Sequence, residues 1–354
     1  MQQNLIKRTA VYSLIFCVAA IGIIFFLSAG KVITITEVAQ DEVQENSALK
    51  ENKVQEGSGQ SLTFLLGEAD TDYLKIPLPK GCKADDIIIE NHYMDKELWI
   101  LVPEAEDDFY LENAIAGNQK MVKQGTFESV REGCRLKFLL TGIYECRTIL
   151  ENENLYISFQ TPREIYDKII VIDPACGGTD MGYIADGISE KEVTLEIVRK
   201  LKEKLDDSDI KVYYTRMDDE NPSEENRVSL ANDAQADMYI RIQVNWDEDA
   251  SVYGTETIYN GDYFIPGFGS VELADWLERE VVTSIKGKAL GLVEAGEDAY
   301  TVREATVPVA AINVGYISNK QEAILLQREE YTDKVATGIY NAILGIYEEG
   351  NIGQ

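Results

Sequence analysis

Cys176 offers the most chemistry of any residue in this 354-residue chain. It sits in the turn Asp173-Pro174-Ala175-Cys176-Gly177-Gly178, directly after an apolar run. A thiol can be a nucleophile or a metal ligand, and either role requires the thiolate. A nucleophilic cysteine wants a basic partner, usually histidine. The chain holds one histidine, His92, far upstream in a strand-rich region, where it reads as a surface or packed residue. A mononuclear hydrolytic zinc centre takes three protein ligands, most often histidines with a carboxylate, plus a water. Histidines for such a centre are missing from the C-terminal half, although Glu190 supplies a carboxylate. Gly177 and Gly178 read as a tight turn from strand to loop.

The elements that must position these residues follow from periodicity. Lys168 to Asp173 is a strand of buried type, and Glu190 to Leu205 a helix with apolar residues at Val193, Ile197, Val198 and Leu201. Ser189 with Glu192 forms a capping box at its start. Further strands are expected at Lys211 to Thr215, Met238 to Val244, Gly254 to Tyr259 and Val309 to Val314. Helices are expected at Ser223 to Ala234, Ser270 to Ile285 and Tyr331 to Glu348. Strands alternating with helices argue an α/β fold, a layered and mostly parallel sheet flanked by helices. Ligand sites in such sheets gather at the carboxyl ends of the strands. Asp173-Pro174, Gln243 and Asn313-Val314 fall there.

Upstream, Ser61 to Pro162 holds short β-rich runs: Ser61 to Leu66, Tyr73 to Leu78, Asp86 to Glu90, Glu97 to Val102, Arg135 to Leu140 and Asn154 to Gln160. Several alternate apolar and polar residues, so a small all-β domain, a sandwich, is expected. Cys134 and Cys146 flank Leu136 to Leu140 and could face each other across a hairpin. The pairing of Cys82, Cys134 and Cys146 is not fixed by spacing. Lys7-Arg8 precede Thr9 to Gly30, 22 residues without a charge. That length spans a bilayer as a helix with the N-terminus inside. A cleaved signal peptide, with a secreted product, is the rival reading. Everything after Lys31 is then extracytoplasmic. The expected organisation is a cytoplasmic N-terminus over 1–8, a transmembrane signal-anchor over 9–30 and an acidic linker over 31–60. A β-rich domain over 61–163 and an α/β domain over 164–350 follow.

The first 30 residues carry only Lys7 and Arg8, so the rest holds 31 basic against 62 acidic residues. Such a surface repels nucleic acid, which is excluded as a partner.

Residues from about 168 to 348 resemble the zinc-dependent N-acetylmuramoyl-L-alanine amidases of bacterial cell walls. The resemblance is distributed over many short matches. Ile170 to Gly178 is similar to the family's strand and D-P-G-H-G-G turn, and Glu190-Lys191-Glu192 to its E-K-D helix start. Thr215-Arg216, Arg227, Ala231-Asn232 and Ala236-Asp237 follow in the family's order. Ile240 to Asn245 resembles the S-I-H-A-N strand, and Gly254-Thr255-Glu256 the G-x-E after it. Arg303, Pro308 and Gly315-Tyr316-Ile317-Ser318-Asn319 complete the series. The β-rich region, placed directly before it, resembles by position the wall-targeting domains of such enzymes.

The resemblance implies a reaction, hydrolysis of the amide between N-acetylmuramic acid and L-alanine. It implies zinc held by two histidines and a glutamate, with a second glutamate as general base. The first histidine position is Cys176, the glutamate ligand is Glu190, the second histidine position is Gln243, and the general-base position is Asn313. Three of the four are changed. Glutamine is a poor zinc ligand, and asparagine cannot accept a proton near neutral pH. Cys176 then reads as a small filler of the metal pocket, and Glu190 is also favoured in a first helical turn by the helix dipole. Arg303, Glu190 and Asn245 are the expected groove residues.

Three readings follow. In the first, a membrane-anchored, extracytoplasmic amidase-like pseudoenzyme binds peptidoglycan or a wall-remodelling protein without cutting and uses no cofactor. In the second, an active amidase holds zinc by Cys176, Glu190 and an acidic neighbour such as Asp173. In the third, the β-domain or the acidic surface carries the function.

Overall fold

The computed structural model describes residues 35–37, 59–65, 71–185, 187–262 and 266–349. The expected anchor at 9–30 and most of the linker lie outside these residues. No helix among the described residues is long and apolar enough to cross a membrane.

The C-terminal half is a six-stranded sheet. Its strands are β1 (Ile169–Pro174), β2 (Lys211–Tyr214), β3 (Met238–Asn245), β4 (Thr255–Tyr259), β5 (Ala289–Glu294) and β6 (Val309–Tyr316), in the order β2-β1-β3-β6-β4-β5. The pairs β2–β1, β1–β3, β3–β6 and β4–β5 are parallel, but β4 runs antiparallel to β6. The expected mostly parallel sheet is therefore a mixed one, reversed at β4. No helix separates β3 from β4, so the chain has no crossover to bring β4 back in the same direction. The strand β5 was not expected at all. Its side chains are half-exposed at an edge, and the Ala289-Leu290-Gly291 start carries little β signal.

Four main helices cover the sheet: α1 (Glu190–Leu205), α2 (Glu224–Ala234), α3 (Ser270–Ile285) and α4 (Glu329–Glu349). Side chains alternate between the two faces of each strand. Ile170, Ile172, Ile240, Ile242, Ala310 and Ile312 point to α1, α3 and α4. Ile169, Val171, Tyr239, Val309 and Ala311 point to α2. All are buried, and each fully buried Ile or Val contributes about 1.5–3 kcal/mol. The capping box at Ser189 forms, with Glu192 accepting from the Ser189 N–H at 3.2 Å and its hydroxyl at 2.7 Å.

The N-terminal half is a β-sandwich. One sheet contains Ile88–His92, Glu97–Pro103, Val122–Val130 and Gly133–Leu140, the other Leu74–Pro77, Glu145–Glu151 and Asn154–Gln160. Leu74, Ile76, Leu155 and Ile157 of one meet Ile89, Leu98, Ile100, Leu136 and Phe138 of the other in a shared core. The strands Val122–Val130 and Glu145–Glu151 were not anticipated, since polar residues break their alternation. The strand expected from Ser61 pairs only at Gln60–Ser61, with a bridge at Phe64. The expected facing of Cys134 and Cys146 does not occur, because they lie in different sheets, and all four described cysteines are free. Ile35–Glu37, assigned by composition to the linker, pairs in parallel with Ile89 to Asn91.

The sandwich docks on the α2 face of the other half. Tyr93 and Ile143 join the apolar cluster there. At this joint the buried Glu145 accepts from Tyr93 at 3.0 Å and Tyr213 at 2.5 Å, and pairs with Lys211 at 3.3 Å. Lys96 on the sandwich also pairs with Asp233 of α2 at 2.5 Å. Glu145→Ala should cost about 1–3 kcal/mol, because donors that served the carboxylate lose their acceptor. Urea denaturation measures the loss, and Glu145→Gln, which keeps an acceptor, should lose less.

Candidate functional site

The turn after β1 is forced into shape by its backbone. Cys176 has φ +61° and Gly177 φ +137°. A Cβ on Gly177 would lie 2.0 Å from the Glu220 carbonyl oxygen, so only glycine fits there. Buried cations hold the turn from below. Arg216 donates to the carbonyls of Pro174, Ala175, Lys191 and Asp218, and Arg227 to those of Pro174, Cys176 and Pro222. On the outside, Lys191 reaches the Gly178 carbonyl at 2.8 Å and Asp219 at 2.9 Å. The Thr215-Arg216 and Arg227 matches of the sequence are thus scaffold for this turn.

Asp173 is fully buried under it. One carboxylate oxygen accepts from Arg227 and from Thr215, the latter at 2.5 Å. The other accepts from Arg241 at 2.7 Å and Tyr239 at 2.8 Å. Burial by itself would raise its pKa. Arg227 and Arg241, with the Thr215 and Tyr239 hydroxyls, outweigh burial and hold the carboxyl well below the usual range. Both oxygens are engaged, so Asp173 does not serve as the acidic metal ligand of the second reading.

Cys176 and Glu190 come together, as the resemblance implies. Their side chains lie side by side against the Gly182 backbone. Burial, then the Glu190 and Asp180 carboxylates, push the thiol up to about 12. Burial also raises the Glu190 carboxyl, against the Val244 and Tyr183 N–H groups and Arg241. Glu190 accepts from the Val244 N–H at 3.1 Å through one oxygen and from the Tyr183 N–H at 3.2 Å through the other. The Asp180–Tyr183 segment lies against the pair. A Cβ on Gly182 would sit 2.4 Å from Glu190 Oε2 and 2.7 Å from Cys176 Sγ.

The remaining positions divide. Gln243 and Asn313 are direct cross-strand partners on β3 and β6, and Asn313 faces Glu256 of β4 in turn. The Asn313 amide donates to Glu256 at 3.4 Å. Asn245, at the end of β3, accepts from the Trp246 N–H at 2.8 Å. Arg303 does not join them. It lies on the short helix Tyr300–Arg303 beside Asp262, 3.6 Å away, just beyond the carboxyl end of β4. Because β4 is reversed, that end sits at the amino ends of β3 and β6, across the sheet from Cys176. His92 also stays apart, in the sandwich, stacked on Trp99 at 4.1 Å between ring centres.

Two features of the site were not anticipated. Arg241 extends from β3 between Asp173 and Glu224, the latter 3.0 Å away. A charge inside the apolar run Tyr239-Ile240-Arg241-Ile242 was the available signal. Tyr183 and Trp246, 46% and 44% exposed, stack at 6.2 Å with ring planes 19° apart. Both sit on loops that carry site residues, Tyr183 through its bond to Glu190 and Trp246 through Asn245.

The donor set does not fit zinc. It offers one thiol, a carboxylate whose two oxygens each accept a backbone N–H, and a neutral amide, which is a poor zinc ligand. The Gly182 loop passes so close to the thiol and the carboxylate that a Cβ there would collide with both. Among the described residues no three His, Cys, Asp or Glu side chains converge as a metal-binding group.

Comparison with known proteins covers this half of the chain. Residues 170–345 match the family model described as N-acetylmuramoyl-L-alanine amidase. The chain is 32% identical over 190 residues to YqiI, an uncharacterised protein of Bacillus subtilis (strain 168), spanning 54% of this chain and 90% of that protein. It is 32% identical over 197 residues to the germination-specific N-acetylmuramoyl-L-alanine amidase of the same organism, spanning 51% and 81% respectively. Among solved structures, an N-acetylmuramoyl-L-alanine amidase from Clostridium difficile 630 is 31% identical, covers 51% of this chain and 97% of its own, and has a TM-score of 0.48.

Proposed function

The chain belongs to the N-acetylmuramoyl-L-alanine amidase family, and from that premise we propose that it binds peptidoglycan, or a wall-remodelling protein, without cutting the amide. The observation that carries this reading is the Cys176–Glu190 pair. The thiol, pushed up to about 12, lies beside the carboxylate, and the Gly182 backbone packs against both. Hydrolysis by a zinc route needs a Lewis acid and a water activated on it. Without the metal both are gone, and Asn313 in the general-base position removes roughly another 10²–10⁴-fold. What survives is a surface at the carboxyl ends of β1 and β3, with Tyr183 and Trp246 stacked at its rim.

The uncharged segment 9–30 supports a membrane anchor, with the sandwich and the amidase-like half outside the cytoplasm.

The test is sedimentation of the full-length chain with purified sacculi, followed by measurement of newly exposed L-alanine amino groups. Binding with no new amino groups is expected, even after zinc supplementation. Release of L-alanine ends together with about one retained zinc per chain would sink the proposal. Trp246→Ala should weaken sacculus binding roughly three- to tenfold, the scale of one lost aromatic contact. Unchanged binding by that variant would move the contact surface elsewhere.

A further inference from the structure

We propose that Arg241 is a built-in cation that keeps a divalent metal out of this site, so that histidines at 176 and 243 would not by themselves restore one. This rests on the reading above that the site works without metal.

Alternate residues of β3 share a face, so Tyr239, Arg241 and Gln243 project to the same side. Arg241 thus lies one step behind Gln243 on that face. Its charge acts on both Cys176 and Glu190. A buried guanidinium persists only when paired, and Arg241 is paired with buried Asp173 and half-exposed Glu224. Asp173 is also the partner of Arg227, so one buried carboxylate serves two buried guanidiniums. A third, Arg216, lies beside them. Burial lowers its pKa to about 10, and repulsion from Arg227 adds to the lowering. Positive charge is therefore already crowded beneath the Cys176 turn, with Glu190 the other buried carboxylate at its surface. A divalent ion held by Cys176, Glu190 and Gln243 would add two more charges to that crowd. The repulsion is screened much less than at the surface, because Arg241 and Glu190 are buried.

The experiment compares zinc content, by elemental mass spectrometry, and zinc affinity, by calorimetry, in four full-length chains. These are the natural chain, Cys176→His with Gln243→His, that pair with Arg241→Gln, and that pair with Arg241→Lys. Circular dichroism melting establishes that each is folded. The two-histidine chain with Arg241 should hold little zinc. Arg241→Gln keeps a donor for Asp173 but removes the charge, and should tighten zinc more than about tenfold, toward one ion per chain. Arg241→Lys keeps the charge and should remain weak. Arg241→Met added to the two histidines supplies a second neutral variant if the Gln variant does not fold. Stoichiometric zinc in the two-histidine chain with native Arg241 would overturn the proposal. So would equal zinc affinities of the folded neutral and Lys variants. Zinc bound tightly by the natural chain would instead refute the metal-free reading of the site, whatever Arg241 does.

Discussion

Replacing Asp173 with alanine is expected to destabilise the chain by about 3–5 kcal/mol, because it strands the buried Arg227 guanidinium and leaves Arg241 only its half-exposed partner Glu224. For a unit of this size, that is a fall in melting temperature of roughly 6–20 °C. Four groups, Arg227, Arg241, Thr215 and Tyr239, converge on this carboxylate, and Arg241 alone of the two guanidiniums keeps a second ion pair, to the half-exposed Glu224. Urea denaturation of the natural chain and the variant gives the difference directly. A loss below about 1 kcal/mol would mean that the guanidiniums find other partners or water. The pH dependence has a definite sign. A carboxyl held below its ordinary value of 3.8 contributes stability that is fully present above that value. That contribution fades as pH falls below about 4, and Asp173→Ala should show a shallower acid dependence.

Cys176 should react far more slowly with iodoacetamide than an ordinary thiol. A rise from 9.0 to about 12 reduces the thiolate population at pH 8 about a thousandfold. A more basic thiolate is also a better nucleophile, which returns about 16- to 30-fold and leaves a net slowing of roughly 30- to 60-fold. Peptide mapping by mass spectrometry follows Cys176 separately from the other cysteines, with the urea-unfolded chain as reference. Glu190→Gln removes the neighbouring carboxylate and should speed the reaction severalfold. A Cys176 that alkylates at the unfolded rate would contradict the closed thiol–carboxylate pair. Here the linkage runs the other way. A raised thiol contributes stability below its ordinary value and loses it as pH climbs from about 9 toward 12.

The order of the matching segments, from Ile170-Val171-Ile172-Asp173 to Gly315-Tyr316, was legible because each carries a local signal. An apolar strand, a capping box or a T-R pair is written within a few residues. The α/β character followed for the same reason, since periodicity depends only on neighbours in the chain. The convergence of Cys176 and Glu190 was also legible, because the resemblance placed both among the family's metal-ligand positions.

The sequence by itself determined the family and the alternation of elements, and the resemblance placed Cys176 and Gln243 at the family's histidine-ligand positions and Asn313 at its general-base position. These are properties of residue type and local pattern. The tertiary structure alone decided that β4 runs backwards and carries Arg303 to the opposite end of the sheet. It alone decided that Glu145 joins the two halves, and that Arg241 is buried against Asp173, 68 residues away. Strand direction and the pairing of buried charges depend on contacts between distant segments. They are settled by which carboxylate can reach which cation once the sheet has formed, and no local pattern records that.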